Sequence, residues 1–224
     1  MPVPQTFRLV VVPGVTVDRW SRTWSERLPA VNLQLVPAEA THAAALIVER
    51  ADAGLIRLPV DQETYHAIPL YTETTVVVVP RDQVLAAADE LTLADLADEM
   101  LLQPQDDVLT WADWPTMSAD RPVTTAIAVE RVAAGGGVVV VPQSLARLHH
   151  RRDLTYRAVT DAPTSTVALV WLRDRHTDLV EDMIGIVRGR TANSTRGRGQ
   201  PVRTPNGVPR DGAKSRRSPR RRGR

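Results

Sequence analysis

The side chains able to do chemistry are few in this chain and poorly grouped. No cysteine occurs among the 224 residues, which removes disulfides, thiol nucleophiles and cysteine-based metal sites. The five histidines, His42, His66, His149, His150 and His176, are scattered, with no H-x-x-x-H pair and no acid-rich cluster to hold a metal. His149 and His150 adjoin Arg151 and Arg152 at the expected end of a helix, where positive side chains complement the helix dipole. Ser144 and Ser165 are ordinary serines, since no G-x-S-x-G nucleophile elbow is present. The run Gly135–Gly136–Gly137 follows a helical pattern and precedes a strand, the reverse of the dinucleotide order. These residues predict neither an enzyme nor a cofactor.

The same glycines sit inside the stretch around which the chain is organised, Thr125 to Pro142. Ala126, Val129, Val132 and Ala133 recur at helical spacing, the glycines stop the helix, and Val138 to Val141 read as a strand buried on both faces. Upstream, Phe7–Val12, Asn32–Val36 and Ala53–Leu58 read as strands separated by helices at Val17–Leu28 and from Thr41 onward. Thr16 or Asp18 is expected to cap the first helix and Thr41 the second. Tyr65–Leu70 and Thr74–Val79 are further strands, and Thr92–Glu99 a short helix with Thr92 and Asp95 in a capping-box arrangement. Residues 103–123 have poor periodicity, with a short strand expected only at Val108–Trp111. A helix at Gln143–His149, strands at Leu154–Val159 and Thr166–Trp171, and a helix at Asp178–Val187 complete the body. The order predicts an α/β fold with a first lobe from 1–80 plus 166–188 and a second from 81–165.

Charge divides the chain. Residues 188–224 carry 13 of the 28 basic residues and one acid, Asp211, whereas the other 187 carry 15 basic and 25 acidic groups. The acidic body argues against a broad nucleic-acid surface there. The extension 189–224, poor in apolar residues, is expected to be a disordered basic tail. Arg196, Arg198, Lys214, Arg216, Arg217, Arg220, Arg221 and Arg222 would attract DNA or RNA through counterion release, with little sequence preference. The alternative is a solubilising tail, or one that folds against the acidic body. No apolar stretch is long enough for a membrane span and no signal peptide opens the chain, so a cytoplasmic address is expected.

Six segments, in order, resemble the effector-binding domain of LysR-type transcriptional regulators, which has a type 2 periplasmic-binding-protein-like fold. They are FRLVVVPG from Phe7, LPAVNLQLV from Leu28, ADAGLIRLP from Ala51, PLYTETTVVVVP from Pro69, LTLADLADE from Leu91, and RVAAGGGVVVVPQSLARL from Arg131. The resemblance starts within ten residues of Met1, and no winged helix-turn-helix or linker helix is recognised in the sequence. It implies two Rossmann-like lobes, no catalysis, a side-by-side homodimer through an edge helix and strand, and a small organic ligand between the lobes.

The resemblance also implies a set of ligand positions. Gly14, Val15 and Thr16 would stand at the rim, offering backbone donors and a hydroxyl to a carboxylate or other anion. Thr16 serves equally well as a helix cap. Leu58 and Pro59 would provide wall, and Gln103, Thr124, Thr125 and Gly135 to Gly137 would face them, although the glycines also have a structural reading. Trp111 and Trp114 would line the cleft or pack over the second sheet, while Trp20, Trp24 and Trp171 are assigned to core. Regulation by ligand is the function implied; a cytoplasmic solute-binding protein and a nucleic-acid-associated protein acting through its tail are the alternatives.

Overall fold

The strand β1 (Gln5–Val11) buries Phe7, Leu9 and Val10 and has a parallel partner on each side. In the computed structural model, which describes residues 5–112 and 120–190, β2 (Val31–Pro37) runs beside it from Gln5 opposite Val31 to Val11 opposite Pro37. On its other flank lies β3 (Ala53–Arg57), buried at every position, as a strand covered on both faces should be. Parallel neighbours require crossovers, supplied by α1 (Asp18–Arg27) and α2 (Ala43–Arg50). The expected strand–helix–strand–helix–strand start is present.

The chain then reverses. β4 (Tyr65–Glu73) joins this sheet only through the last strand, which is antiparallel to both β3 and β4, giving the order β2-β1-β3-β9-β4 once that strand, Ser165–Leu172, is labelled β9. A second sheet has the order β6-β8-β5-β7, built from β5 (Thr75–Pro80), β6 (Glu90–Leu91), β7 (Val139–Pro142) and β8 (Leu154–Val159). Residues to 80 were expected in the first lobe. Instead β5 changes sheet after a single residue, because Thr75 to Val79 are buried by lying between β7 and β8. The two connections between the sheets touch where the Thr75 hydroxyl donates to the Pro163 carbonyl at 2.5 Å, and the first of them is also held by the Gln143 N–H, which donates to the Thr74 carbonyl at 2.9 Å.

Each sheet has apolar clusters on both faces. Against the first, α1 and α5 (Asp178–Val187) cover Phe7, Leu9, Leu55 and Leu169, while α2 covers Val10, Ala168 and Val170. Trp24 is fully buried there, 4.7 Å from the Phe7 ring, and donates its indole N–H to the Val31 carbonyl. Trp171 is also buried, and Trp20 packs against the same cluster. Against the second sheet, α3 (Thr125–Ala133) and α4 (Gln143–Leu148) cover Val76, Val78, Val139 and Val141. The opposite face carries short 3-10 turns at Val84–Ala87 and Ala94–Leu96 with Leu101 and Leu109. On α3 the buried apolar residues are Ala128, Val129 and Val132, so Ala128 takes the place expected of Ala126.

Several local expectations are corrected. Val17 and His42 occupy the cap positions of α1 and α2 in helical backbone conformation, so Thr16, Asp18 and Thr41 cap neither helix. Thr92–Glu99 forms only the 3-10 turn, because one Asp95 oxygen accepts both the N–H and the hydroxyl of Thr92 (2.8 and 2.7 Å), closing a tight loop. Val108–Trp111 forms no strand; Asp107 accepts from the Leu109 N–H and the Trp111 indole and turns the chain back. Trp114 and the basic extension from 191 lie outside the described residues.

The cap of α5 escaped the sequence reading. Thr177 is extended and its hydroxyl accepts the Val180 N–H at 3.3 Å, next to the buried Val180 and Met183. Thr177→Ala is expected to lower unfolding free energy by about 1 kcal/mol, and Thr177→Ser to restore most of it, in chemical denaturation curves.

Candidate ligand cleft

The places where the two sheets meet are set by strand ends. β1 ends at Val11, and Pro13 and Gly14 turn the chain towards α1. Gly14 has φ of +84°, which disfavours any residue with a Cβ. A Cβ there would also stand 2.5 Å from the Ser144 hydroxyl oxygen and 3.3 Å from Arg57 Nη2. Glycine therefore lets the first sheet's loop approach α4 of the second sheet.

Arg57, the last residue of β3, occupies this junction. It is 8% exposed, and its partner Glu73, the last residue of β4, is 7% exposed. Arg57 Nε donates to Glu73 Oε2 at 3.0 Å, Nη1 to the Pro13 carbonyl at 3.0 Å, and Nη2 to the Ser144 hydroxyl oxygen at 3.2 Å. One guanidinium thus touches the end of β4, the loop after β1, and the helix of the other sheet. Arginine stays protonated in proteins, so the cation is permanent, and its planar fork suits a carboxylate.

Around this centre the expected residues divide. Gly14 is at the contact itself. Val15 is half-buried, packs into both clusters of the first sheet and donates its N–H to the Val12 carbonyl; Thr16 is exposed. Leu58, half-buried, donates its N–H to the Thr166 carbonyl, and Pro59 is exposed; both directly follow Arg57.

On the second sheet the polar groups are largely engaged with one another. Gln103 Nε2 and Trp111 Nε1 both donate to Asp107 Oδ2, at 3.2 and 2.8 Å. Burial pushes the Asp107 carboxyl above its usual range, against the opposing pull of these bonds, the Leu109 N–H and the Arg121 charge. Thr124 caps α3 by accepting the Ile127 N–H. Thr125 is 2% exposed and gives both its N–H and its hydroxyl to Asp106 Oδ1, at 2.7 and 2.9 Å. The chain's own Asp106 carboxylate thus engages the backbone and hydroxyl donors of Thr125, one of the residues expected to face the ligand.

Gly135 to Gly137 are not brought to the same place. They follow the far end of α3, whose nine residues span about 13 Å at 1.5 Å each. The Gly136 N–H donates to the Arg131 carbonyl and the Gly135 N–H to that of Val132, the paired bonds of a glycine helix stop. The tail residues Arg196, Arg198, Lys214, Arg216, Arg217, Arg220, Arg221 and Arg222 lie outside the described residues.

Arg57, Glu73 and Ser144 were missed by sequence reasoning. The available signal was a charge ending the otherwise apolar AGLIR and another in the short link between two strands, positions where solvated charge is unexpected. Nothing distinguished Ser144 from any other serine.

Two β-sheets flanked by helices, joined by two crossings around a buried charged junction, make a bilobed α/β domain. The family model described as "LysR substrate binding domain" matches residues 4–192, and the chain belongs to that family. It is 23% identical over 183 residues to the HTH-type transcriptional regulator AlsR of Bacillus subtilis (strain 168), covering 74% of this chain and 59% of that protein. It is 30% identical over 150 residues to a probable hydrogen peroxide-inducible genes activator of Mycobacterium avium, covering 62% of this chain and 48% of that protein. The chain thus spans about half to three-fifths of the length of these curated relatives. Among solved structures, the BenM effector-binding domain with its effector benzoate superposes with a TM-score of 0.70 at 19% identity, covering 85% of this chain and 96% of that one. The oxidized form of OxyR gives 0.68 at 21% identity, covering 83% and 95%. These superpositions establish the fold. The family match covers most of the chain, which is accordingly a LysR substrate-binding domain.

Proposed function

We propose that the chain senses a small organic anion, foremost a carboxylate, held where its two lobes meet, and that the signal serves transcription regulation. The observation that carries this reading is Arg57, whose guanidinium is buried between the lobes with donors directed at Pro13 and Ser144 from opposite sides. A ligand carboxylate would accept from Arg57 Nη1 and Nη2 and from the Ser144 hydroxyl, taking over the contact between the Gly14 loop and α4. The lobes, one on each sheet and turning about residues 73–75 and 160–165, would then be held in one relative orientation; binding shifts a pre-existing equilibrium by its differential affinity. BenM's effector belongs to this chemical class. Peroxide sensing through a thiol, by contrast, has no residue to use here, because these 224 residues contain no cysteine.

The test is native mass spectrometry of the full chain purified from cells, with benzoate titration alongside. A retained small anion, or saturable benzoate binding weakened about tenfold or more by Ser144→Ala and Arg57→Gln, supports the reading. Ser144→Ala keeps the Arg57–Glu73 pair and so separates lost binding from lost folding. Neither a retained mass nor benzoate binding, or binding indifferent to Ser144→Ala, overturns it.

Two partner assignments belong to the same reading. A homodimer is supported by the edge position of β2 with Leu35 exposed, and by exposed Val123 and Ile127 at the start of α3. The basic extension would attach to DNA or RNA without sequence preference, an association that salt should weaken steeply. Among the described residues no helix is long and apolar enough to cross a membrane, and a cytoplasmic address is part of the proposal.

A further inference from the structure

A second concentration of charge lies away from Arg57, at the opposite end of α4. The recess there, of about 60 Å³, has a floor of Val78, Ala146 and Leu154 and one wall formed by Tyr156. Its rim carries Arg81, His149, His150 and Arg151. Arg147 and Arg152 lie in the same turn of chain, so four of the 15 arginines of an acidic body, with two of five histidines, gather at one spot.

The charges at this rim are not equally engaged. Arg151 is held by Asp153 through two bonds, Nε to Oδ1 at 3.0 Å and Nη2 to Oδ2 at 2.9 Å, with Glu130 adding to the field on it. Arg81 is different: its Nε donates to the Arg152 carbonyl at 2.8 Å, a neutral acceptor that fixes the guanidinium without cancelling its charge. The Arg147 Nε donates to the Tyr156 hydroxyl, again a neutral partner. The His149 and His150 rings have no hydrogen-bond partner among the described residues, and imidazole nitrogens can donate to an anion. An apolar floor with convergent cationic and hydrogen-bonding groups at the mouth is how small amphiphilic anions are held.

We propose that this recess between α4, β5 and β8 is a second ligand site, taking a small anion that carries an apolar group, its charge between Arg81 and the two histidines and its apolar part on Val78, Leu154 and the Tyr156 ring. A phosphate monoester and a carboxylate share this chemistry. The site is separate from the Arg57 cleft, so the two readings fail independently.

The test is an NMR titration of the full chain that follows the His149 and His150 ring resonances, assigned with His149→Gln and His150→Gln. These local signals distinguish the recess from anion binding by the basic extension. The probes are phenyl phosphate, phenylacetate and inorganic phosphate. Saturable movement of both rings is expected with phenyl phosphate or phenylacetate, and the tighter of the two identifies the head group. Inorganic phosphate should bind more weakly. Arg81→Gln should weaken binding about tenfold with no change in melting temperature, while Ser144→Ala, which keeps the Arg57–Glu73 pair, should leave it intact. Ring shifts that only follow ionic strength and match those given by sodium chloride, shifts indifferent to Arg81→Gln, or shifts abolished by Ser144→Ala would each overturn the proposal.

Discussion

Glu73→Ala is expected to lower unfolding free energy by roughly 3–5 kcal/mol, the cost of leaving a buried charge without its partner. The Arg57 and Glu73 side chains are only 4% and 5% exposed and meet at 3.0 Å. With the carboxylate gone, the guanidinium keeps two neutral acceptors, the Pro13 carbonyl and the Ser144 hydroxyl, and among the described residues no counter-charge within reach of a bond. It cannot escape by losing its proton. The double variant Arg57→Met, Glu73→Leu should recover most of the loss, since replacing both members of a buried pair by apolar residues is often neutral or stabilising. Urea denaturation of the two variants beside the wild type decides the matter. A loss below about 1 kcal/mol for Glu73→Ala would mean that the junction is hydrated and that Arg57 is a surface arginine in energetic terms. The double variant, folded but without its guanidinium, should also lose the anion proposed for the cleft.

Gly137→Ala should cost more than about 3 kcal/mol, the upper end of the usual penalty for an unfavourable backbone conformation. Two independent reasons add. Its φ of +130° is one that side chains rarely adopt, and an added Cβ would overlap the Met100 carbonyl oxygen. That oxygen accepts the Val138 N–H at 2.9 Å, and the Leu102 N–H in turn donates to the Val138 carbonyl at 2.8 Å. Moving it would detach the segment 100–102 from the edge of β7. Gly135 is the internal control. Its φ of +76° also disfavours alanine, but nothing among the described residues lies within 4 Å of an added Cβ. Gly135→Ala should therefore cost only about 1 kcal/mol. Denaturation midpoints of the two variants will differ widely if close packing distinguishes these neighbours; equal midpoints would mean that backbone conformation alone accounts for both.

The succession of elements was legible in the chain because it is a local property. Apolar runs such as Phe7–Val12 and Val138–Val141, the helical spacing in Asp178–Val187, and the stop at Gly135–Gly137 all depend on neighbours a few residues apart. Six segments together, more than any one of them, carried the family. Where local pattern and long-range contact disagreed, contact prevailed. β5 left the expected lobe because burial on both faces was available only between β7 and β8. Val108–Trp111 and Thr92–Glu99 gave up a strand and a helix to the carboxylates of Asp107 and Asp95.

The cleft itself belongs to tertiary structure. Arg57, Glu73 and Ser144 are separated by 16 and 71 residues, and only the folding of two sheets joined by two crossings brings them within bonding distance. The sequence by itself determined the elements, the absence of thiol chemistry and the family, since each follows from residue identity and short-range order. Which charges are buried, which backbone donors remain open, and which helix end is already filled by Asp106 were decided only when distant segments met, because the free energy of a charge depends on the atoms around it and not on its neighbours in the chain.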